Sequence, residues 1–456
     1  MGIVTYSFER KKNQKLYQQI ANHIIDDIEK EHLKQGDRLP SIREAAKMMD
    51  VSKTSVENAY NRLLEDGYII AKAGRGYFVD VSHVELKNRE FIMKADPIVE
   101  SPYRYNLSSN AIDMESFDFA IWKHYIKAVM EEKEVLSQYG DMQGELRLRK
   151  ALQRYAYTQR GVVAKVENII VGASYQSLLY LLCSLLKKPI TIAMEEDGFL
   201  QAMQVFEDMH YPLCQLPRKN RSIALQELEQ SQANLFYFNS SACGKYRSQV
   251  DRENRKKLLS WCEKEKHYLI EDDHNGELRY ASKVYPAIQG FDTKGKVIYI
   301  GSFSKILLPS LRIAYMVLPD QLSQIYHQKK GNYSPTSSKV EQLALANYIA
   351  EGNLDRHIKR VRKRYERKSR YMYFLLKQYF PKDSIYLEET SFQYVVEFKE
   401  KKCNNIKEEI RKAGILMDIN EKRMKISFSM ISESQMEEII SFLAMKRNQE
   451  VYYEDK

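Results

Sequence analysis

Lys305, in Gly301-Ser302-Phe303-Ser304-Lys305, has the most restrictive chemical surroundings in the chain. It follows the β-prone run Val297-Ile298-Tyr299-Ile300, so its amine stands on a loop just past a strand. A lysine presented in this way can form a Schiff base with an aldehyde cofactor. Ser302, Ser304 and Arg312 lie close by in sequence and offer two hydroxyls and a guanidinium, a set suited to a phosphate. Upstream, Tyr268-Leu269-Ile270 runs into Glu271-Asp272-Asp273-His274, a strand ending in carboxylates. One such carboxylate can pair with a protonated pyridine nitrogen, the interaction that makes pyridoxal phosphate an electron sink. A lone lysine is ordinarily a surface charge. A strand-end lysine with a phosphate set, downstream of a strand-end aspartate, is a narrower pattern.

A second constellation lies near the N-terminus. Ser41-Ile42-Arg43-Glu44 is a Ser-x-x-Glu capping box opening a short helix, and Ser52 is placed to cap another from about Lys53 to Glu65. Gly67 is positioned to end that helix in a left-handed conformation. In a helix-turn-helix the second helix enters the major groove, and its first turn here carries Lys53, Thr54 and Ser55. Arg43 could clamp a phosphate. Lys72, Gly74 and Arg75 occupy the turn between the β-prone runs Tyr68-Ile69-Ile70 and Tyr77-Phe78-Val79. With the apolar stripe Leu16, Ile20, Ile24, Ile25 and Ile28, this makes three helices and a hairpin, a winged helix-turn-helix.

The elements that position these residues divide the chain into a head (1–80), a linker (81–105) with charges, two prolines and no sustained period, and a large domain (106–456). In the large domain, helical stripes alternate with strand-like runs, which predicts a mainly parallel α/β sheet. A smaller α+β portion is expected around Phe392–Phe398 and Lys425–Phe428. Of 456 residues 44% are hydrophobic, enough for a large core, and no run is apolar enough to predict a membrane span. The five cysteines are scattered without a C-x-x-C pair, which argues against a disulfide framework or zinc site and for a reducing cytoplasm. No metal site is expected.

Residues 10–80 resemble the GntR family of bacterial winged-helix regulators. The likeness rests on Leu39-Pro40-Ser41-Ile42-Arg43, Val51-Ser52-Lys53-Thr54-Ser55-Val56, Asp66-Gly67-Tyr68 and Gly74-Arg75-Gly76-Tyr77-Phe78-Val79. Where the family usually has an arginine, Lys53 keeps the charge and loses the bidentate fork. The large domain resembles the aspartate aminotransferase superfamily through Tyr139-Gly140-Asp141-Met142-Gln143-Gly144, Val171-Gly172-Ala173, Glu271-Asp272-Asp273 and the Lys305 segment. Together the two halves resemble the MocR subfamily of GntR regulators. The fold class implied is multidomain: a winged helix-turn-helix, a pyridoxal-phosphate-dependent aminotransferase-like α/β domain, and a small C-terminal α+β subdomain.

By position, the resemblance implies that Lys305 carries pyridoxal 5′-phosphate and Asp272 meets its ring nitrogen. Arg312, Ser302 and Ser304 would bind the phosphate with help from the backbone around Ala173, Ser174 and Tyr175. Tyr139 would reach the partner subunit's site in a homodimer. Several positions depart from the pattern. His274 replaces a tyrosine, and Phe199 in Glu195-Glu196-Asp197-Gly198-Phe199 replaces a stacking tyrosine. Ser240 to Arg247 lacks the usual proline and terminal glycine, and Ser174 stands for a glycine. Lys425 takes the place of the arginine that clamps a substrate carboxylate, with Arg423 two residues away on the same strand face.

These losses weaken an enzyme more than a binder, because turnover demands one geometry whereas regulation demands only unequal binding to two states. The reading is a transcriptional regulator that binds a double-stranded DNA operator and senses a small amine, an amino acid or the cofactor itself. A domain-swapped head-to-tail homodimer is one arrangement open to it. The alternatives are an aminotransferase with a DNA-binding appendage and a degenerate fold kept for dimerisation. The charge of +10 sits unevenly: the head has 13 Lys+Arg against 12 Asp+Glu. The densest basic run, Arg356 to Arg370, reads either as a solvated helix face or as a second DNA surface.

Overall fold

The computed structural model describes residues 15–80, 103–108, 113–187, 189–196, 199–217, 225–240, 252–264, 266–274, 276–282, 284–399, 406–420 and 422–454. The chain forms two compact units, Met1–Glu100 and Ser101–Lys456.

The small unit has helices α1 (Leu16–Glu29), α2 (Ile42–Met49) and α3 (Lys53–Glu65), then strands β1 (Ile69–Lys72) and β2 (Gly76–Val79). The capping box at α2 forms as expected: Glu44 N donates to Ser41 Oγ at 3.3 Å and Ser41 N to Glu44 Oε2 at 2.9 Å. At α3, Ser55 N donates to Ser52 Oγ at 3.1 Å, and Gly67 takes φ +77° just beyond the helix end. Ile20, Ile24, Ile28, Ala45, Val56, Ala59 and Leu63 form the core. Tyr60 ties α3 to its neighbours: its hydroxyl donates to Pro40 O at 3.0 Å and its ring meets Tyr77 edge-on at 4.9 Å.

In the large unit, β3 (Tyr105–Asn106) comes first. Tyr105, the last residue of the expected linker, is buried and pairs with Ile415; residues 81–102 lie outside the described part. Helix α4 (Leu146–Arg160) precedes a seven-stranded sheet of β4 (Ile169–Gly172), β5 (Ile192–Glu195), β6 (Leu213–Leu216), β7 (Leu235–Asn239), β8 (Tyr268–Asp272), β9 (Val297–Ser302) and β10 (Ala314–Val317). Its order is β4-β10-β9-β8-β7-β5-β6, parallel throughout except for β10. β4, β5, β9 and β10 are buried at every position, as strands covered on both faces must be, hence their unbroken apolar runs. Helices α5 (Tyr175–Leu185) and α6 (Leu200–Asp208) follow β4 and β5.

The long helix α7 (Asn353–Tyr379) leads to the small subdomain. There β11 (Ser384–Glu388), β12 (Gln393–Glu397), β14 (Asp418–Ile419) and β15 (Arg423–Ser427) form an antiparallel sheet, while β13 (Ile415–Leu416) pairs with β3. Helix α8 (Glu433–Glu454) closes the chain and packs on α7. The subdomain is tied back by buried Glu389, whose Oε1 accepts from the N–H groups of Tyr280 and Ala281, both at 2.6 Å. Among the described residues no helix is long and apolar enough to cross a membrane.

Candidate cofactor site and DNA-reading head

The residues expected to do chemistry converge on one end of the large sheet. Register places them there: Gly172 is level with Ala314, Ala314 with Ser302, Ile300 with Asp272 and Asp272 with Asn239. This is the carboxyl edge of the parallel strands, where open α/β sheets bind ligands.

Lys305 lies in the turn after β9. Burial lowers its amine from the usual lysine range to about 8, and its Nζ sits 5.9 Å from the centre of the Phe392 ring. The next residue is fixed from behind: His357 Nε2 on α7 lies 2.6 Å from Ile306 O. His274 faces Lys305 electrostatically. Burial first, and then the lysine's charge, push its imidazole down to about 3, so it is neutral at physiological pH.

Asp272, at the end of β8, is buried, and its Oδ2 accepts from the Tyr237 hydroxyl at 2.5 Å. Tyr175 stands edge-on to Tyr237 with ring centres 6.4 Å apart, and Phe199 edge-on to Tyr175 at 5.6 Å. The aromatic set thus runs from Asp272 to the start of α6. Strand alternation turns Glu271 and Asp273 to the opposite face. Glu271 there accepts from the backbone of Ile288 and Gln289 at 2.8 and 2.9 Å. Asp273 pairs with buried Arg160 and accepts from Tyr299 at 3.0 Å. Of the three consecutive acids, only Asp272 faces the site.

In the expected phosphate set, Ser302 Oγ and Ser304 Oγ lie 3.2 Å apart, and Arg312 is exposed in a left-handed conformation at φ +50°. Helix α5 departs from expectation. Ala173 N donates to Thr336 Oγ1 at 3.1 Å and Ser174 N to Ser177 Oγ at 3.1 Å, so these two backbone donors are already taken. Ser174 has become an N-cap: its Oγ accepts from Ser177 N at 3.0 Å. Tyr139 is 96% exposed and makes no side-chain link to these residues among those described.

On β15, Lys425 is half-buried and Arg423 exposed, both opposite to buried Met424 and Ile426. The shared face expected for the two cations holds, with Lys425 the more sheltered. Ser240 donates its N–H to Asp272 O at 2.9 Å, whereas 241–247 lie outside the described residues.

In the head, Arg43, Lys53, Thr54, Lys72, Gly74 and Arg75 are all exposed. Gly74 adopts φ +68° in a turn closed by Arg75 N donating to Lys72 O at 2.9 Å, a conformation that favours glycine. Ser55 differs from the other head residues: its hydroxyl lies 2.8 Å from Ser52 Oγ, so it serves the cap.

Residues 104–443 match the family of aminotransferase class I and II, and residues 16–79 the gntR family of bacterial regulatory proteins. The HTH-type transcriptional regulator YdeL of Bacillus subtilis (strain 168) is 33% identical over 358 residues, 77% of each chain. The probable rhizopine catabolism regulatory protein MocR of Rhizobium meliloti is 29% identical over 375 residues, 78% of this chain and 76% of its own. An archaeal alanine:glyoxylate aminotransferase superposes with a TM-score of 0.66 over 76% of this chain and 91% of its own; at 19% identity this speaks for the fold alone. The chain belongs to the MocR-type GntR regulators.

This MocR-type regulator keeps the strand-end lysine and aspartate of its aminotransferase half on one sheet edge, as the sequence led one to expect. Two members of the site were not foreseen. Tyr237 was legible only as part of a strand, because its reach to Asp272 depends on the pairing of two parallel strands. Phe392 faces Lys305 from the small subdomain, 87 positions along the chain, and nothing local in the sequence points to it.

Proposed function

We propose that this MocR-type regulator holds pyridoxal 5′-phosphate on Lys305 and uses that site to sense a small amine, an amino acid or the cofactor itself. The observation that carries the reading is half-buried Lys305, its amine lowered to about 8 by desolvation and standing on the same sheet edge as Asp272. The donor set fits the group: an amine of reduced basicity, a buried carboxylate, paired serine hydroxyls and a free-standing guanidinium. When bound, pyridoxal phosphate supplies an electrophilic carbonyl that amines can exchange upon.

Asp272 would hold the ring nitrogen, with Tyr237 fixing its carboxylate. His274, neutral, would donate to the phenolic oxygen, and Phe199 with Tyr175 would border the ring. Ser302, Ser304 and Arg312 would take the phosphate, with the Tyr175 N–H the one expected backbone donor at the start of α5 that Thr336 and Ser177 do not engage. Tyr139, projecting into solvent, suits a role in the partner's site of a homodimer. Lys425, with Arg423 farther out, would meet an effector carboxylate as a point charge, orienting it less strictly than a fork. Such loose orientation favours sensing over turnover. The effector state would then bias how the winged head engages its DNA operator.

The test is to incubate the full chain with pyridoxal phosphate, reduce with borohydride and map the adduct by mass spectrometry. A yellow absorbance and an adduct on Lys305, both lost in Lys305→Ala, are expected. Their absence in the wild type overturns the cofactor reading. Transamination of amino acids with 2-oxoglutarate at ordinary aminotransferase rates overturns the sensor reading.

A further inference from the structure

Helix α7 carries ten Lys+Arg and two Asp+Glu in 27 residues, a net +8 out of +10 for the whole chain. The winged head, with 13 bases against 12 acids, is nearly neutral. A protein that binds a polyanion through a neutral head carries its electrostatic attraction elsewhere, because phosphate neutralisation supplies most of the sequence-independent affinity for DNA.

Arg356 bonds to Glu351 O and Asn353 at the start of α7 and Lys377 lies over the Tyr373 ring near its end; the structure divides the other eight cations into two groups. Arg362 Nε donates to Glu277 O at 2.5 Å, Arg364 pairs with Asp113 and Glu115, and Lys368 is buried between Asp113 and Ser429 O. Arg360 donates to Ser116 O at 3.2 Å. These side chains hold the fold together. Lys359, Lys363, Arg367 and Arg370 point outward, spaced by three or four residues and so on one helix face. Arg367 and Arg370 are 72% and 79% exposed, and their partners Glu433 and Glu366 are surface acids whose pairing contributes little. Lys359 and Lys363 make no ion pair among the described residues. A groove of about 480 Å³ runs along this face, lined by Arg360, Lys363, Arg364, Glu366, Arg367 and Arg370.

We infer that this face of α7 is a second DNA-binding surface, engaging backbone phosphates of the duplex that flanks the operator. The occupant is chosen by charge. From Lys359 to Arg370 the helix spans about 16 Å at 1.5 Å per residue, and duplex DNA offers one phosphate per about 1.7 Å of axis. Four outward cations and a cation-lined groove match a phosphate row without reading bases. The inference rests on the chain being a DNA-binding regulator, and the experiment separates the two.

The variant is Lys359→Gln, Lys363→Gln, Arg367→Gln and Arg370→Gln together; glutamine keeps helix propensity close to that of lysine and arginine. Full-length protein is titrated onto a fluorescein-labelled, mixed-sequence duplex of about 60 base pairs between about 50 and 200 mM salt, followed by anisotropy. The slope of log affinity against log salt should become shallower by about 3 to 4, at roughly 0.9 for each phosphate no longer neutralised. An unchanged slope overturns the surface. So does equal flattening by a control removing Lys123, Lys127, Lys150 and Lys294, which would make the effect one of net charge. A changed oligomeric state in sedimentation with an unchanged slope would assign the face to a second copy of the chain and also overturn it. If Arg43→Gln with Lys53→Gln weakens binding and the α7 variant does not, DNA binding stands and this surface falls. If wild type leaves the duplex unbound across this salt range, the DNA-binding reading fails first.

Discussion

The Tyr237 hydroxyl donates to Oδ2 of Asp272 at 2.5 Å, joining neighbouring parallel strands at the carboxyl edge of the sheet. A hydrogen bond to a buried carboxylate holds one rotamer and satisfies one acceptor that would otherwise need water. Tyr237→Phe should therefore destabilise the large unit by about 1.5–3 kcal/mol, read from the urea midpoint. Tyr180→Phe, which removes a hydroxyl from exposed Asp208, should move the midpoint little. Equal shifts in the two variants would remove the special standing of the Tyr237 bond.

Lys305 reacts with aldehydes only as the free amine, and burial alone lowers its pKa to about 8. Below that pH the amine is protonated and unreactive; above it the amine is free. The initial rate of borohydride-trapped adduct on Lys305 should rise as pH passes through about 8 and level off beyond it. Surface lysines in the same digest should keep rising toward about 10.4. A Lys305 profile that follows the surface lysines would show that its amine is solvated.

Arg160 and Asp273 form a buried pair, Nε to Oδ2 at 2.5 Å and Nη2 to Oδ1 at 3.1 Å, beneath the face that carries Lys305 and Asp272. Arg160→Met leaves the aspartate buried without its cation and should cost about 3–5 kcal/mol. Lys165→Met, which breaks an exposed pair with Asp320, should leave the denaturation midpoint nearly unchanged. Gly276→Ala should also destabilise, because an added Cβ would collide with Asp273 Oδ1 and the Arg160 guanidinium.

Arg43 is exposed on the head's capped α2 helix, which in a helix-turn-helix geometry crosses the backbone rather than entering the groove. Arg43→Gln should weaken binding to every duplex by a similar factor and reduce the salt slope by about 0.9. Lys53→Ala should in addition blunt discrimination between duplexes of different sequence if it reaches a base edge. Anisotropy titrations on a panel of duplexes distinguish the two outcomes.

Much of this molecule is written locally. The Ser41–Glu44 box, the Ser52 cap and the left-handed Gly67 specify the head within stretches of a few residues, where capping and backbone sterics act. The apolar runs that became β4, β8 and β9 were legible for the same reason. The serine that stands for a glycine at position 174 was visible as a departure, but its consequence was not. The Ser174 N–H goes to Ser177 and that of Ala173 to Thr336, over 160 positions away.

The basic run of α7 is the clearest case of divided authority. By itself the sequence determined that a helix would form there and that it would carry most of the net charge, because periodicity and charge are local properties. Only the tertiary structure decided which cations serve the fold and which face outward. Asp113, Glu277 and Ser429 claim theirs from segments 61 to 255 positions away, and burial makes those bonds obligatory once the chain packs. The same holds at the sheet edge. Sequence marked Lys305 and Asp272 as strand-end groups, while strand register and the return of the small subdomain brought Tyr237 to Asp272 and Phe392 to Lys305.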